Sequence, residues 1–321
     1  MVIHHLLSIT LALVIDRLIG DPPSWPHPVR WIGSMISWLD RRLNKGDGRV
    51  TKGILMLIVI GIVTFSITVL IVYGAYQVHV FAGIVAESLI IATTIAGNDL
   101  KKAAHRVYLP LKKGDVTKGR QQVSMIVGRD TDNLNEEEIT RATVETVAEN
   151  ISDGITAPLF WALVGGAPLA IVYRVVNTCD SMVGYKNERY GQFGWASARF
   201  DDLLNWLPSR ITGFCMITSS SSPFVTKKQA AYDLKREARK HPSPNSGWGE
   251  AALAILLGVQ LGGTNYYQGI KSERAVMGQA YKNLYKEHIL GALSIMERSV
   301  RLFLILLWIG GGCYAAAVTW F

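Results

Sequence analysis

The sequence predicts an all-α, polytopic helical integral membrane protein, and three observations carry that reading. Apolar residues form long uncharged runs, basic residues fill the loops between them, and the ionisable residues beside the runs fall into dense motifs. Of 321 residues 49% are hydrophobic and 18% charged, which is too apolar and too unevenly charged for an ordinary soluble domain.

Taken in order, Ile3 to Ile15 is an apolar run closed by Asp16-Arg17 and is expected to be the first span. It does not read as a cleavable signal, since no Lys or Arg precedes it and no small-residue cleavage site follows. From Gly53 to Asn98 the only formally charged side chain is Glu87. A run of that length can cross a hydrocarbon core of roughly 30 Å twice, at about 20 residues per helix, turning near Tyr73 to His79. Residues 99–150 read as a cytoplasmic helical insertion, with Asn135 as N-cap and Glu136, Glu137 and Glu138 in the first turn, where the helix dipole favours acids. Residues 155–172 are apolar but broken by Gly165-Gly166-Ala167-Pro168, so the segment either crosses or enters and returns. Broken backbone at membrane depth must be covered by protein or a water-filled cavity, and a pocket is expected there. Trp206 to Ser222 and Ala251 to Tyr266 are short and doubtful, and Leu302 to Phe321 is the last clear span. The count is about four firm spans plus up to three short or re-entrant segments with cytoplasmic helical loops, within a single domain, 1–321.

The formal net charge of +8 is spread over every long loop rather than gathered in a stripe, so no nucleic-acid partner is expected. Arg30 to Lys52, Lys101 to Arg141, Lys227 to Lys240 and Lys271 to Arg301 are read as loops retained in the cytoplasm by their basic residues. Cys179, Cys215 and Cys313 lie far apart and indicate neither a disulfide framework nor a metal site.

Four clusters can carry chemistry. The first is Asp16-Arg17…Gly20-Asp21-Pro22-Pro23, then His27-Pro28-Val29-Arg30, in which prolines 22, 23, 26 and 28 stiffen the chain and hold Asp21, His27 and Arg30 at the surface. The bland reading is an interfacial turn. The second is Gly128-Arg129-Asp130-Thr131-Asp132, followed by Arg141, Glu145, Glu149-Asn150, Asp153-Gly154 and Pro158. Its carboxylates suit magnesium, which takes oxygen ligands and bridges to substrate phosphates; the competing reading is a solvated helix with an Arg141–Glu145 pair. The third runs through Tyr173-Arg174, Asn177, Asp180-Ser181-Met182, Gly184-Tyr185-Lys186, Arg189, Tyr190, Arg199, Asp201-Asp202, Asn205 and Arg210. Arginines and a lysine there can hold phosphates, and Asp201 and Asp202 can share a metal ion with Asp180, against a structural reading as pairing inside a bundle. The fourth, His241-Pro-Ser243-Pro-Asn245-Ser246-Gly247-Trp248-Gly249-Glu250, is a stiff turn opening an apolar helix whose N-terminus can receive a phosphate. No GxxxxGK[ST], HExxH or GxSxG motif is present, so a bound ATP would not lie in a Walker fold.

These clusters, in this order and with Tyr267-Gln-Gly269 after them, closely resemble the adenosylcobinamide-phosphate synthase family of cobalamin biosynthesis over nearly the whole chain. The resemblance implies an ATP-consuming amide ligase at the cell's inner (cytoplasmic) membrane, its active site facing the cytoplasm. It would join a carboxylate of adenosylcobyric acid, a corrinoid, to the amine of aminopropanol phosphate or a related amino-alcohol phosphate. Mg2+ and ATP are then the expected cofactor and co-substrate. On that basis Asp130, Glu149, Asp153, Asp180 and Asp201, with Asp202, are candidate metal ligands, and Arg129, Arg174, Lys186 and Arg199 candidate phosphate or carboxylate clamps. Asp21 and His27 are candidates to position the amine or take its proton, and Asp180, Asp201 and Asp202 are counted with them as catalytic candidates. Partners left open are the lipid bilayer, other corrinoid-pathway membrane enzymes and a second copy of the chain. The rival readings are a membrane prenyl- or phospho-transferase with a magnesium diphosphate site, and a corrinoid transporter or scaffold.

Overall fold

The computed structural model describes residues 1–22 and 27–320. Pro23 and Pro26 of the proline-rich turn and Phe321 of the last span therefore lie outside the described residues. The described residues are helical apart from one β-hairpin and the loops between elements, and the chain divides into two compact units. Unit 1 comprises Met1–Asn98, Ala157–Asn205 and Ile305–Phe321; unit 2 comprises Asp99–Thr156 and Trp206–Leu304. The insertion expected at 99–150 thus folds together with a second stretch of chain that carries the His241–Glu250 turn.

Among the described residues, four stretches of helix are long and apolar enough to cross a membrane: Arg49–Val78, Val80–Lys112, Glu136–Val183 and Glu287–Val318. The protein is accordingly a multi-pass helical membrane protein. In unit 1, α1 (Val2–Leu18) has 17 residues, which reaches only about 26 Å at 1.5 Å per residue. Next come α2 (Pro28–Leu43) and α3 (Arg49–Val78). α3 ends at His79, whose extended backbone breaks the helix and whose Nδ1 accepts the Phe81 N–H, so one residue closes α3 and opens α4 (Val80–Ala92) at the expected turn. At the other end of α1, buried Asp16 accepts the Asn98 backbone N–H (3.1 Å), and Asn98 Nδ2 donates to the Asp16 carbonyl (3.0 Å). Asp16 therefore pins α1 to the start of α5 (Gly97–Lys112).

α8 (Ala157–Val183) holds the Gly-Gly-Ala-Pro break, with non-helical dihedrals at Gly165 and Gly166. Two contacts with α9 (Trp195–Leu204) show what the break does. Asn177 Nδ2 donates to Asp201 Oδ1 (3.2 Å) near one end of α9, while Trp161 Nε1 donates to the Leu204 carbonyl (3.1 Å) at its last residue. Gly194, just before α9, abuts the Val183 carbonyl so closely that a Cβ would fall 1.7 Å from it. A straight helix would place Trp161 and Val183 about 33 Å apart, yet both lie along α9, which is only about 15 Å long. The chain therefore bends sharply at Gly165–Gly166. Gly166 has φ +64°, and its neighbours are the Glu87 and His5 side chains, which cover the broken backbone there.

In unit 2, α5 continues into α6 (Val116–Val123) and α7 (Glu136–Ile151), which opens with the expected cap, a full capping box between Asn135 and Glu138. A π-helical turn, Ser152–Thr156, follows it. Gly249 of α12 (Ser246–Leu257) packs against α7 so tightly that a Cβ would sit 2.3 Å from the Ala148 carbonyl. α10 (Trp206–Ser219) and α11 (Lys227–Ala238) also pack on α12. With 14 and 12 residues, α10 and α12 reach about 21 and 18 Å, too short to cross.

The 251–266 segment is not one apolar stretch. α12 ends at Gly258 (φ +70°), and β1 (Leu261–Tyr267) pairs antiparallel with β2 (Ile270–Met277). Gln268 and Gly269 both have positive φ, the two-residue turn whose twist matches a hairpin. α13 (Glu287–Trp320) completes the chain.

Candidate functional site

Each unit gathers its own ionisable cluster. In unit 2 the cluster stands on the face of α7 that carries Glu145 and Glu149, four residues apart and so on one side of the helix. Glu145, 3% exposed, is fully engaged: it pairs with the Arg129 guanidinium and accepts the Gly262 N–H at 2.7 Å. Arg129 also donates to Asn265 Oδ1 (2.6 Å) on β1. Arg141, expected beside Glu145, instead reaches the carbonyls of Gly262 (2.5 Å) and Thr264 (2.9 Å), because the unanticipated hairpin offers it backbone acceptors. One turn along α7, Glu149 remains open to solvent and accepts from Ser246 Oγ (3.3 Å) at the start of α12.

Glu250, one turn into α12, is 2% exposed, and its Oε2 has no hydrogen-bond partner. His241 Nε2 stands 3.4 Å from Glu250 Oε1 without making a hydrogen bond. Burial, followed by the charges of Glu145 and Glu149, pushes the Glu250 carboxyl well above the usual carboxylate range. Burial and then the Arg274 charge lower His241. Both shifts favour the neutral form. The Ser243 N–H donates to His241 Nδ1 (3.0 Å), which leaves the ring proton on Nε2, facing Glu250.

Asp130 has a different task from the rest. Its two oxygens accept the Gln268 and Gly269 N–H groups (3.0 and 2.7 Å), capping the hairpin turn. Asp132 is exposed, and Asp153 lies half-buried in the π-turn.

In unit 1, Arg174 contacts Asn177 Oδ1 (3.4 Å), and Asn177 donates to Asp201 Oδ1, giving a chain from α8 to α9. Asp202 feels Arg199 and Lys186, but burial is the larger influence and raises its carboxyl above the ordinary value. Asp180 lies one turn before Gly184, whose missing Cβ leaves room for the Asp180 carboxylate. Asp21 Oδ1 is 3.0 Å from His27 Nε2, while His27 Nδ1 accepts the Val29 N–H and caps α2, so both ring nitrogens are occupied. Buried Asp40, which no motif marked, accepts from Arg189 (2.7 Å), Tyr190 (3.3 Å) and Asn44 (2.9 Å).

The predicted metal ligands are thus divided, with Asp130, Glu149 and Asp153 in unit 2 and Asp180 and Asp201 in unit 1. Among the described residues no three His, Cys, Asp or Glu side chains converge as a ready-made cation cage. The residues that sequence reasoning missed are Asp40, Asn265 and Arg274. The last two sit on the hairpin, whose only local signal was the Gln268-Gly269 turn.

A family model described as CobD/Cbib protein matches residues 9–296. The chain is 51% identical to a "Cobalamin biosynthesis protein CobD" of Halalkalibacterium halodurans, over 97% of this chain and 98% of that one. It is 43% identical to a protein of the same name from Clostridium perfringens (93% and 98%), and 41% identical to "Cobalamin biosynthesis protein CbiB" of Salmonella typhimurium (94% and 96%). No solved structure matches the chain.

Proposed function

The chain belongs to the CobD/CbiB family of cobalamin biosynthesis proteins, and from that premise we propose that it is an adenosylcobinamide-phosphate synthase. It joins a carboxylate of adenosylcobyric acid to the amine of aminopropanol phosphate or a close relative at the expense of ATP, at the cytoplasmic face of the cell membrane. The observation that carries this reading is that the motif residues fold into two mixed-charge clusters, with carboxylates beside arginines. A ligase of this kind must hold anionic phosphates, a carboxylate and an ammonium together, and a lipid-facing scaffold has no other reason to keep so many costly ionic groups.

The nucleotide supplies phosphoryl transfer that activates the carboxylate. Magnesium takes one or two protein carboxylates and completes its shell with water and substrate phosphates, which fits a protein whose described residues offer no three-carboxylate cage. In unit 1, Asp201 and Asp202 are the candidates to meet the metal, and Arg174, Lys186 and Arg199 are the candidates to neutralise phosphate or carboxylate charge. The exposed aromatic residues Tyr185, Trp195 and Phe200 on the same stretch suit a broad planar corrinoid.

The test is incubation of the full-length protein in detergent with corrinoid acid, amino-alcohol phosphate and magnesium ATP. Mass detection of the amide, dependent on all three, is the expected result; an unchanged corrinoid would overturn the proposal. Asp201→Asn should lower turnover by about 100-fold or more, the scale of losing a preorganised electrostatic group.

A further inference from the structure

Glu250 is the group that the fold leaves unfinished. Its Oε2 is buried and unpartnered, although α12, α7 and the β-hairpin close around it. Glu149 stands beside it, because Ser246, one turn before Glu250 and so on the same face of α12, donates to the Glu149 carboxylate. The nearby guanidiniums have other bonds to make: Arg129 is committed to Glu145, and Arg274 donates to the Tyr267 hydroxyl (2.9 Å). His241 Nε2 sits beside Oε1, so Oε2 is the oxygen left to receive a ligand.

Resting on the ligase reading, we infer that this basin of unit 2 binds the primary ammonium of the amine co-substrate, held by Glu250 Oε2 and the Glu149 carboxylate. An ammonium supplies what an unpartnered carboxylate oxygen requires, an N–H donor, and its positive charge suits two neighbouring carboxylates. The order of access is also built in: Glu149 is open to solvent and meets the incoming amine first, and Glu250 lies behind it.

The experiment is calorimetric titration of the full-length protein in detergent with aminopropanol phosphate, with the same phosphate ester lacking the amine, and with inorganic phosphate. The amine should bind about tenfold or more tightly than its des-amino analogue, the scale of one charge-assisted hydrogen bond. Glu149→Gln and Glu250→Gln should each erase that preference while leaving corrinoid binding unchanged. Equal affinity for amine and des-amino ligand in the wild type, or an undiminished preference in both variants, would overturn the inference. Wild-type protein that shows the preference but forms no amide would sink the ligase reading and leave the subsite standing. Amide formation with an unaltered amine KM in both variants would do the reverse.

Discussion

Two buried glutamates, one in each unit, show how burial alone fails to distinguish a structural group from a functional one. Glu87 in unit 1 is 0% exposed and receives His5 (2.9 Å), Ser8 (3.1 Å), Tyr76 (2.9 Å) and the Ala167 N–H (3.1 Å). Every lone pair has work, and the carboxylate ties α1, α3 and α4 to the break in α8. Glu250 in unit 2 is as deeply buried but ends with an oxygen that has no hydrogen-bond partner. A saturated carboxylate holds a fold, whereas an unsaturated one keeps its capacity for something that arrives later.

The contrast can be broken most forcefully at Glu87. Glu87→Ala strands His5, Tyr76 and the Ala167 amide together and should cost about 3–5 kcal/mol, the range for removing one partner of a buried ionic network. Thermal unfolding in detergent measures it, and an unchanged midpoint would show that Glu87 pins nothing. At the break in α8, Gly166→Ala adds a Cβ 2.1 Å from Glu87 Oε1 at a positive φ. It should destabilise unit 1 by roughly 1–3 kcal/mol, and Glu87→Ala in the same chain should relieve part of that loss.

Effects at Glu250 should be smaller and follow pH. Its folded carboxyl titrates above its unfolded value, so the folded state keeps a proton that the unfolded chain releases. Wild-type stability should therefore fall as pH rises above the ordinary carboxylate range of about 4.3 until the raised folded value is passed, by at most about 1.4 kcal/mol per pH unit. Glu250→Gln, which stays neutral, should flatten that decline, so that the variant gains on the wild type toward alkaline pH in parallel melting curves. Parallel curves at all pH values would remove Glu250 as the titrating group. The smallest change is expected at Arg189, whose side chain is 62% exposed where it meets Asp40. Its replacement by Ala should shift the melting midpoint little, and salt should mask the difference, as for other surface pairs.

Much of the architecture was legible because it follows from local rules. The turn at His79, the capping box at Asn135–Glu138 and the apolar runs of α3, α4 and α13 come from short-range chemistry and hydrophobic length. The β-hairpin was not legible: seven- and eight-residue strands beside an apolar helix carry little period-two signal, and a Gln-Gly turn is a weak marker. Arg141 shows the consequence, since helix spacing favoured Glu145 and an unseen strand supplied better acceptors. Asp130 shows it again, since its carboxylate accepts two turn amides of a hairpin that the sequence did not reveal.

By itself, the sequence determined that this chain lies in a membrane, where α3 turns into α4 and where α7 begins, and which motif residues carry charge, because hydrophobic length, capping and composition act over a few turns. Only the tertiary structure decided how the chain bends at the Gly165–Gly166 break, that Arg129 rather than Arg141 neutralises Glu145, and that Glu250 is left with an oxygen lacking a hydrogen-bond partner. Those outcomes depend on which partners arrive from a hundred residues away, and no local rule counts the hydrogen bonds a buried group will find when the fold closes around it.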